Sequence, residues 1–368
     1  MPRQESLKRD SFCLDSFCLN DYSIKKEKDW GILDVVTIKD VARLAGVSPS
    51  TASRAMHNNE MISQATRDKV KKVMEELNYS PNYSAQNLVK RQSNTVGIIL
   101  PVKESQEALG DNPFFMQIIQ GISGICTKEG QMVSLATGQK EEDLLKNVQN
   151  MIRSGNVRKF IFLYSKTDDP VFDYMRKEEV RCVVVGQPYD QSQKQAYFVN
   201  NHNQEAGKDA TNFLLDKGYQ AISYVYTDMD ELVQAERYMG YAEAMKIRNH
   251  QAQSLNVSLV DHEASKKQLL QHLEQRDAQA FVTSDDMLGI HLQRLLKEIG
   301  QENKAIISFN NSVLAQLANP ALTSVDIFPY LLGERAASVL LKTHQANDAI
   351  DIIPHKIIER ESTPNFLI

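Results

Sequence analysis

"TIKDVARLAGVSPSTASRAM", residues 37–56, sets out two short helices and the turn between them. Thr37 is a natural N-cap, because its side chain can satisfy N–H groups that the first helical turn leaves unpaired. From there Ile38, Val41, Ala42 and Ala45 fall on one helical face. Gly46 supplies the tight turn, since glycine takes up positive φ without a Cβ clash. Ser48 caps a second helix, and Pro49 suits its first position, where no N–H is required. In that helix Ala52, Ala55 and Met56 face inward, while Pro49, Ser50, Ser53, Arg54 and His57 lie opposite. A third helix follows Ser63, with Val70, Val73, Met74 and Leu77 inward and Arg67, Lys69, Lys71 and Lys72 outward.

The second helix thus presents small or polar residues near its start and an arginine one turn on. A helix that enters the major groove of DNA needs this arrangement. Arg54 can offer paired donors to guanine, and Ser50 can reach a base edge. Thr51, Ser53 and His57 suit phosphates, which fix register without reading sequence. Thr37 and Pro49, at the two helix starts, complete the DNA-facing set. A small helical bundle with a solvated polar face would show the same periodicity, so periodicity alone leaves both readings open.

Charge is distributed unevenly around this segment. Residues 36–93 hold nine Lys/Arg against five Asp/Glu, a balance of +4, while residues 94–368 hold 27 against 35, or −8. A small basic segment joined to a large acidic one fits a polyanion reader attached to a second function. Ahead of it, residues 1–35 carry a tandem DSFCL-DSFCL at 10–19 and the only tryptophan, Trp30. Two copies are too few for a repeat fold. This segment is expected to be a disordered tail, or an extension upstream of the true start at Val35 or Val36. The chain lacks a secretory signal and a membrane-length apolar run, so it reads as soluble and cytoplasmic. The spacing of Cys13, Cys18, Cys126 and Cys182 fits neither a zinc site nor a disulfide framework.

Downstream, TVGIILPV, FIFLY, RCVVVG, AISYVY, AFVTSDD and AIISF are short apolar runs separated by amphipathic stretches. Such alternation predicts α/β lobes with parallel sheets. Ligands in these folds sit at the carboxyl ends of the strands. The residues that follow the runs include Phe114 and Phe115, Ser165 and Lys166, and Gln187 and Tyr189. Further along they include Glu236, Arg237 and Tyr238, then Asp285 and Asp286, then Asn310 and Asn311. Aromatic faces beside planar amide, carboxylate and guanidinium groups can recognise a sugar. The duller alternatives are core for the phenylalanines, a helix cap for Asp285 and a turn for the asparagines.

Taken residue by residue, 37–56 resembles the head of the lactose-repressor (LacI/GalR) family. The pattern T-x-x-D-V-A-x-x-A-G-V-S-x-x-T-V-S-R-V-L is matched at Thr37, Asp40, Val41, Ala42, Ala45, Gly46, Val47, Ser48, Thr51, Ser53 and Arg54. Ala52, Ala55 and Met56 depart from it with other apolar residues. The resemblance covers the chain apart from its first 35 residues. It implies an all-α helix-turn-helix head over 36–80, and a hinge helix and linker over 81–93. The rest, 94–368, would be a two-lobed, periplasmic-binding-protein-like core joined by three crossovers. Lobe one would span about 94–188 and 326–348, and lobe two about 190–324 and 350–368. The hinge would enter the minor groove, with Asn82 near its start, Ala85 at the dimer contact and Leu88 wedged into the central base step.

By matching motifs, the resemblance places an effector against Phe114, Phe115, Tyr189, Arg237, Asp285 and Asn310. The lactose repressor's stacking tryptophan has no counterpart, and the chain is one residue tighter after Asp286-Met287. SFNNS (308–312) and HKIIERESTP are most similar to the maltose-operon repressors of low-GC Gram-positive bacteria within that family. The resemblance implies a homodimeric repressor on a palindromic operator, released allosterically by a sugar, with maltose or a maltodextrin favoured. A catabolite-control regulator using a phosphoprotein corepressor, or a sugar-binding protein without a regulatory role, would share the lobes. Nucleophile-elbow, zinc-protease and P-loop motifs are absent from the sequence, and no cofactor or metal is expected.

Overall fold

The computed structural model describes residues 36–79, 93–102, 112–166, 168–188, 196–342 and 350–366. The chain divides into two compact units, with the boundary between positions 82 and 83. The first holds α1 (Ile38–Ala45), α2 (Pro49–Met56) and α3 (Gln64–Glu76). At the start of α1, the backbone N–H and hydroxyl of Thr37 both donate to Asp40, at 3.1 and 2.7 Å. Gly46 closes that helix at φ 64°. Val41, Ala42, Ala45, Ala52, Ala55, Val70 and Val73 form the core. So many alanines let three short helices approach closely. Met56, expected inward, is only half-buried and lies outside this cluster. It ends α2, where the helix leaves the core. Arg67, expected on the solvated basic face, is also half-buried and donates to the Asn58 carbonyl at 3.2 Å.

Among the described residues, the second unit contains two six-stranded sheets. The first runs β11 (Ile350–Ile353), β5 (Tyr197–Asn201), β4 (Arg181–Val185), β3 (Lys159–Phe162), β1 (Thr95–Ile99), β2 (Met132–Ala136), all parallel. The second runs β12 (Lys356–Ile358), β10 (Thr323–Asp326), β9 (Ala305–Phe309), β8 (Ala280–Thr283), β6 (Ile222–Tyr226), β7 (Ser254–Asn256). It is parallel except that β12 lies antiparallel to β10 at the edge. Helices α4 (Pro113–Lys128), α5 (Glu141–Arg153), α6 (Pro170–Lys177) and α12 (Pro329–Leu341) cover the first sheet. Helices α7 (Asn203–Asp216), α8 (Leu232–Ile247), α9 (His262–Arg276), α10 (Asp286–Glu298) and α11 (Val313–Leu317) belong with the second.

The strand assignments move the expected lobe boundaries. Tyr197–Asn201 and Ile350–Ile353 pair with one another in the first sheet, so they belong to lobe one rather than lobe two. The crossovers fall near residues 202, 327 and 354, not near 189, 325 and 349. The physical cause is the polar run 190–195, which reads as a connection but precedes the last central strand of the first lobe. Asn201 ties all three crossovers together. Its buried amide donates to the carbonyls of Ile327 and Ile353, each at 3.0 Å.

Both lobes bring two helices unusually close through paired glycines. A Cβ on Gly207 would lie 2.1 Å from the Arg237 carbonyl oxygen, and one on Gly240 would lie 1.8 Å from that of Gln204. In lobe one, Gly121 and Gly333 do the same for α4 and α12, each 2.1 Å from the opposing backbone oxygen.

Candidate nucleic-acid interface and ligand cleft

In the head, α2 turns Ala52 and Ala55 into the core and leaves Pro49, Ser50, Arg54 and His57 exposed. Thr51 and Ser53 are half-buried, and Thr37 is exposed at the start of α1. Ser48 organises the first turn. Its Oγ accepts from the Thr51 N–H at 3.1 Å and lies 2.8 Å from the hydroxyls of both Ser50 and Thr51. The helix therefore presents fixed hydroxyls at its N-terminus, where unpaired N–H groups and the macrodipole favour an anion. Arg54 projects one turn further along. The expected hinge residues Asn82, Ala85 and Leu88 lie outside the described residues.

The core unit gathers polar groups where the two lobes meet. Gln187 follows β4 and accepts from the Asn200 amide at 3.0 Å. The Asn203 amide donates to Asn200 Oδ1 at 3.3 Å. Arg237 Nε donates to Asn203 Oδ1 at 3.3 Å, and its Nη1 donates to the Ser284 carbonyl at 2.5 Å. This path runs from the strand ends of lobe one, across a crossover, to those of lobe two. Arg237 is 3% exposed, and its guanidinium lies 4.2 Å from the Phe309 ring centroid. Guanidinium over an aromatic face is a favourable geometry, and here it fixes the arginine plane.

The other expected contacts divide between structural and available roles. Asp285 is half-buried and caps α10, accepting from the Leu288 N–H at 2.8 Å. Phe115 is buried in the apolar cluster that also holds Phe309, and Phe114 packs against that cluster. Their rings meet edge to face at 5.0 Å. Asn310 has φ 96°, and its N–H donates to the Val325 carbonyl at 2.9 Å, which continues the pairing of β9 with β10. Tyr189 lies outside the described residues.

Asp286, a sugar-binding candidate with Asp285 in the sequence, has its carboxylate engaged inside lobe two. It is buried and accepts from the Ser324 hydroxyl and the Ser312 N–H, each at 2.7 Å, and from the Ser308 hydroxyl. These bonds pin α10 to β9 and β10. Asn200, Asn201 and Asn203 were missed, although the polar run NNHN directly after the apolar YFV was a signal. Burial pushes the carboxyl groups of Glu236, Asp285 and Asp286 above the usual range. Among the described residues no group of three His, Cys, Asp or Glu could hold a metal ion. Nor is any helix among them long and apolar enough to cross a membrane.

A helix-turn-helix head joined to a two-lobed ligand-binding core defines a ligand-responsive DNA-binding regulator. The match to known proteins identifies which kind. Residues 37–82 match the bacterial regulatory proteins of the lacI family, and residues 211–363 match the periplasmic binding protein-like domain. The chain is 33% identical to the transcriptional regulator MalR of Staphylococcus xylosus, over 89% of this chain and 98% of that protein. It is 31% identical to MalR of Streptococcus pneumoniae, over 88% and 99%. Among solved structures, the regulator CelR in complex with cellobiose superimposes with a TM-score of 0.66 at 25% identity, covering 89% of this chain and 99% of that one. The chain belongs to the lacI family of bacterial transcriptional regulators, and it is a DNA-binding regulator rather than an enzyme.

Proposed function

We propose that the protein is a repressor of a carbohydrate-utilisation operon, released from a palindromic operator by a sugar bound between the lobes. Maltose or a maltodextrin is the favoured effector, in keeping with the names of the relatives. The observation that carries this reading is the hydrogen-bonded path from Gln187 to Ser284 through Asn200, Asn203 and Arg237. A ligand that engages this path contacts both lobes at once, so its affinity depends on how the lobes are set. Only such differential affinity can shift operator binding.

In this reading the protein acts as a homodimer, with one recognition helix α2 in each major groove. Ser50 and Arg54 read bases, and Thr37, Pro49, Thr51, Ser53 and His57 form the surrounding backbone contacts. Asn82, Ala85 and Leu88 form the hinge, with Leu88 as the minor-groove wedge. Phe114, Phe115, Tyr189, Arg237, Asp285 and Asn310 serve the effector. The test is an operator gel shift in the presence of maltose, maltotriose, cellobiose and trehalose. Release by maltose or maltotriose is expected. Release by another sugar alone would remove the maltose assignment, and no release by any would remove the sugar reading.

A further inference from the structure

Phe328 links β10 of lobe two to α12 of lobe one, and it is the N-cap of that helix. Its backbone lies in the left-handed region, at φ 53° and ψ 61°. A side chain with a Cβ is unfavourable there, and a bulky aromatic one is a true outlier. The next residue is Pro329, whose ring pushes the residue before it towards extended backbone. The Phe-Pro pair thus opposes this conformation twice. Among the described residues, neither of the other crossovers, near 202 and 354, contains a residue with positive φ.

The groups that hold Phe328 left-handed belong to lobe two. Asp326 Oδ1 accepts from the Phe328 N–H at 2.7 Å, and Oδ2 accepts from the Asn311 amide at 3.0 Å. Arg360 donates to the oxygen of that amide. The Asn311 N–H donates to the Ser324 hydroxyl at 3.0 Å, and Ser324 donates to the buried Asp286 at 2.7 Å. The clamp is therefore anchored in the second sheet. What it clamps is the first turn of a lobe-one helix, because the Phe328 carbonyl accepts from the Leu332 N–H at 3.0 Å. Strain of this kind persists only where surrounding contacts enforce it, and it weights one arrangement against another. We propose that Phe328 is a conformational latch between the lobes. It is left-handed in this lobe arrangement and relaxes to extended backbone in the other, so its strain sets the balance that the effector shifts. This rests on the reading of the protein as a regulator with a sugar effector between its lobes, and it adds the element that is bistable.

The experiment compares Phe328→Gly with Phe328→Ala in the full chain. Both variants lose the ring, so they differ only in carrying a Cβ at a left-handed position. Each is melted, and each is titrated by calorimetry with maltose, maltotriose, cellobiose and trehalose. The glycine variant is expected to melt higher, since alanine at positive φ is destabilising. The two are expected to differ in affinity for the sugar that binds by at least about threefold. Asp326→Ala releases the clamp. It is expected to shift that affinity from the wild-type value in the direction opposite to the shift from alanine to glycine at 328. Equal melting of the two Phe328 variants would show that the backbone is not strained and would overturn the inference. Unequal melting with equal sugar affinity would show that Phe328 stays left-handed in both arrangements. That result would also overturn it, and would leave the cleft reading intact. If neither Phe328 variant folds, Asp326→Ala decides: an altered sugar affinity supports the latch and an unaltered one overturns it. No binding of any of the four sugars by the wild type would remove the sugar reading, and the inference with it.

Discussion

The Arg237 guanidinium lies 4.2 Å from the centre of the Phe309 ring while two of its donors reach Asn203 and Ser284. The three contacts come from α7, the residue that follows β8, and β9, so the arginine plane reports how these elements are set. A lysine keeps the charge but has neither the planar fork nor the stacking face. Arg237→Lys is expected to bind operator and to need at least tenfold more effector for release. Gel shifts across an effector titration measure this, and an unchanged midpoint would exclude Arg237 from the response.

Arg54 is exposed on α2, one turn beyond the hydroxyls that Ser48 holds in place. An arginine paired with a guanine contributes about 1–3 kcal/mol of discrimination. Arg54→Ala should therefore lose roughly tenfold to a hundredfold in operator affinity while binding to scrambled DNA falls much less. Competition gel shifts give the ratio. Equal losses on both DNAs would make Arg54 a phosphate contact.

The glycine pairs make an unambiguous packing prediction. At Gly240 a methyl group would meet the Gln204 oxygen at 1.8 Å and the Lys208 nitrogen at 2.7 Å. Both are backbone atoms and cannot swing aside, so α7 and α8 must separate. Gly240→Ala is expected to cost about 3 kcal/mol, at the upper end for overpacking. At Gly124 the nearest atom is the Tyr330 hydroxyl at 3.4 Å, the far end of a side chain. Gly124→Ala should be neutral or slightly stabilising, because alanine favours the helix. Thermal melts of the two variants decide it, and similar melting points would contradict the close-approach argument.

Glu298, at the end of α10, takes hydrogen bonds from His262 at 2.8 Å, Lys266 at 3.3 Å and Arg294 at 3.2 Å. The His262 bond, followed by those from Lys266 and Arg294, lowers its pKa to about 2 from the ordinary 4.5. A depressed acid stabilises the fold above its unfolded pKa and loses that effect as pH falls through the folded one. Glu298→Gln should therefore melt below the wild type at neutral pH. The gap should hold down to pH 4.5 and narrow towards pH 2. A gap independent of pH across that range would show that the charge is not the cause.

Much of this was legible in the sequence because it is local. The caps at Thr37 and Ser48, the turn at Gly46 and the inward alanines of α2 are set by residues three or four positions apart. The strands centred on TVGII, KFIF and RCVVV announce themselves as apolar runs, since a strand buried on both faces leaves no polar alternation to blur it. Arg237 was recognisable from its place after a strand. Its bonded partners were not, because none of them lies near it in the chain.

What the sequence determined by itself is the identity of the elements: a helix-turn-helix head, then strands and helices in α/β alternation. Tertiary structure alone decided how they are divided between lobes and what holds the division. Asn201 joins carbonyls 126 and 152 residues away. Asp286 collects donors from Ser308, Ser312 and Ser324. Short-range periodicity encodes which face of an element is apolar. It carries no information about which distant polar group will satisfy a buried donor, because only chain closure brings the two together.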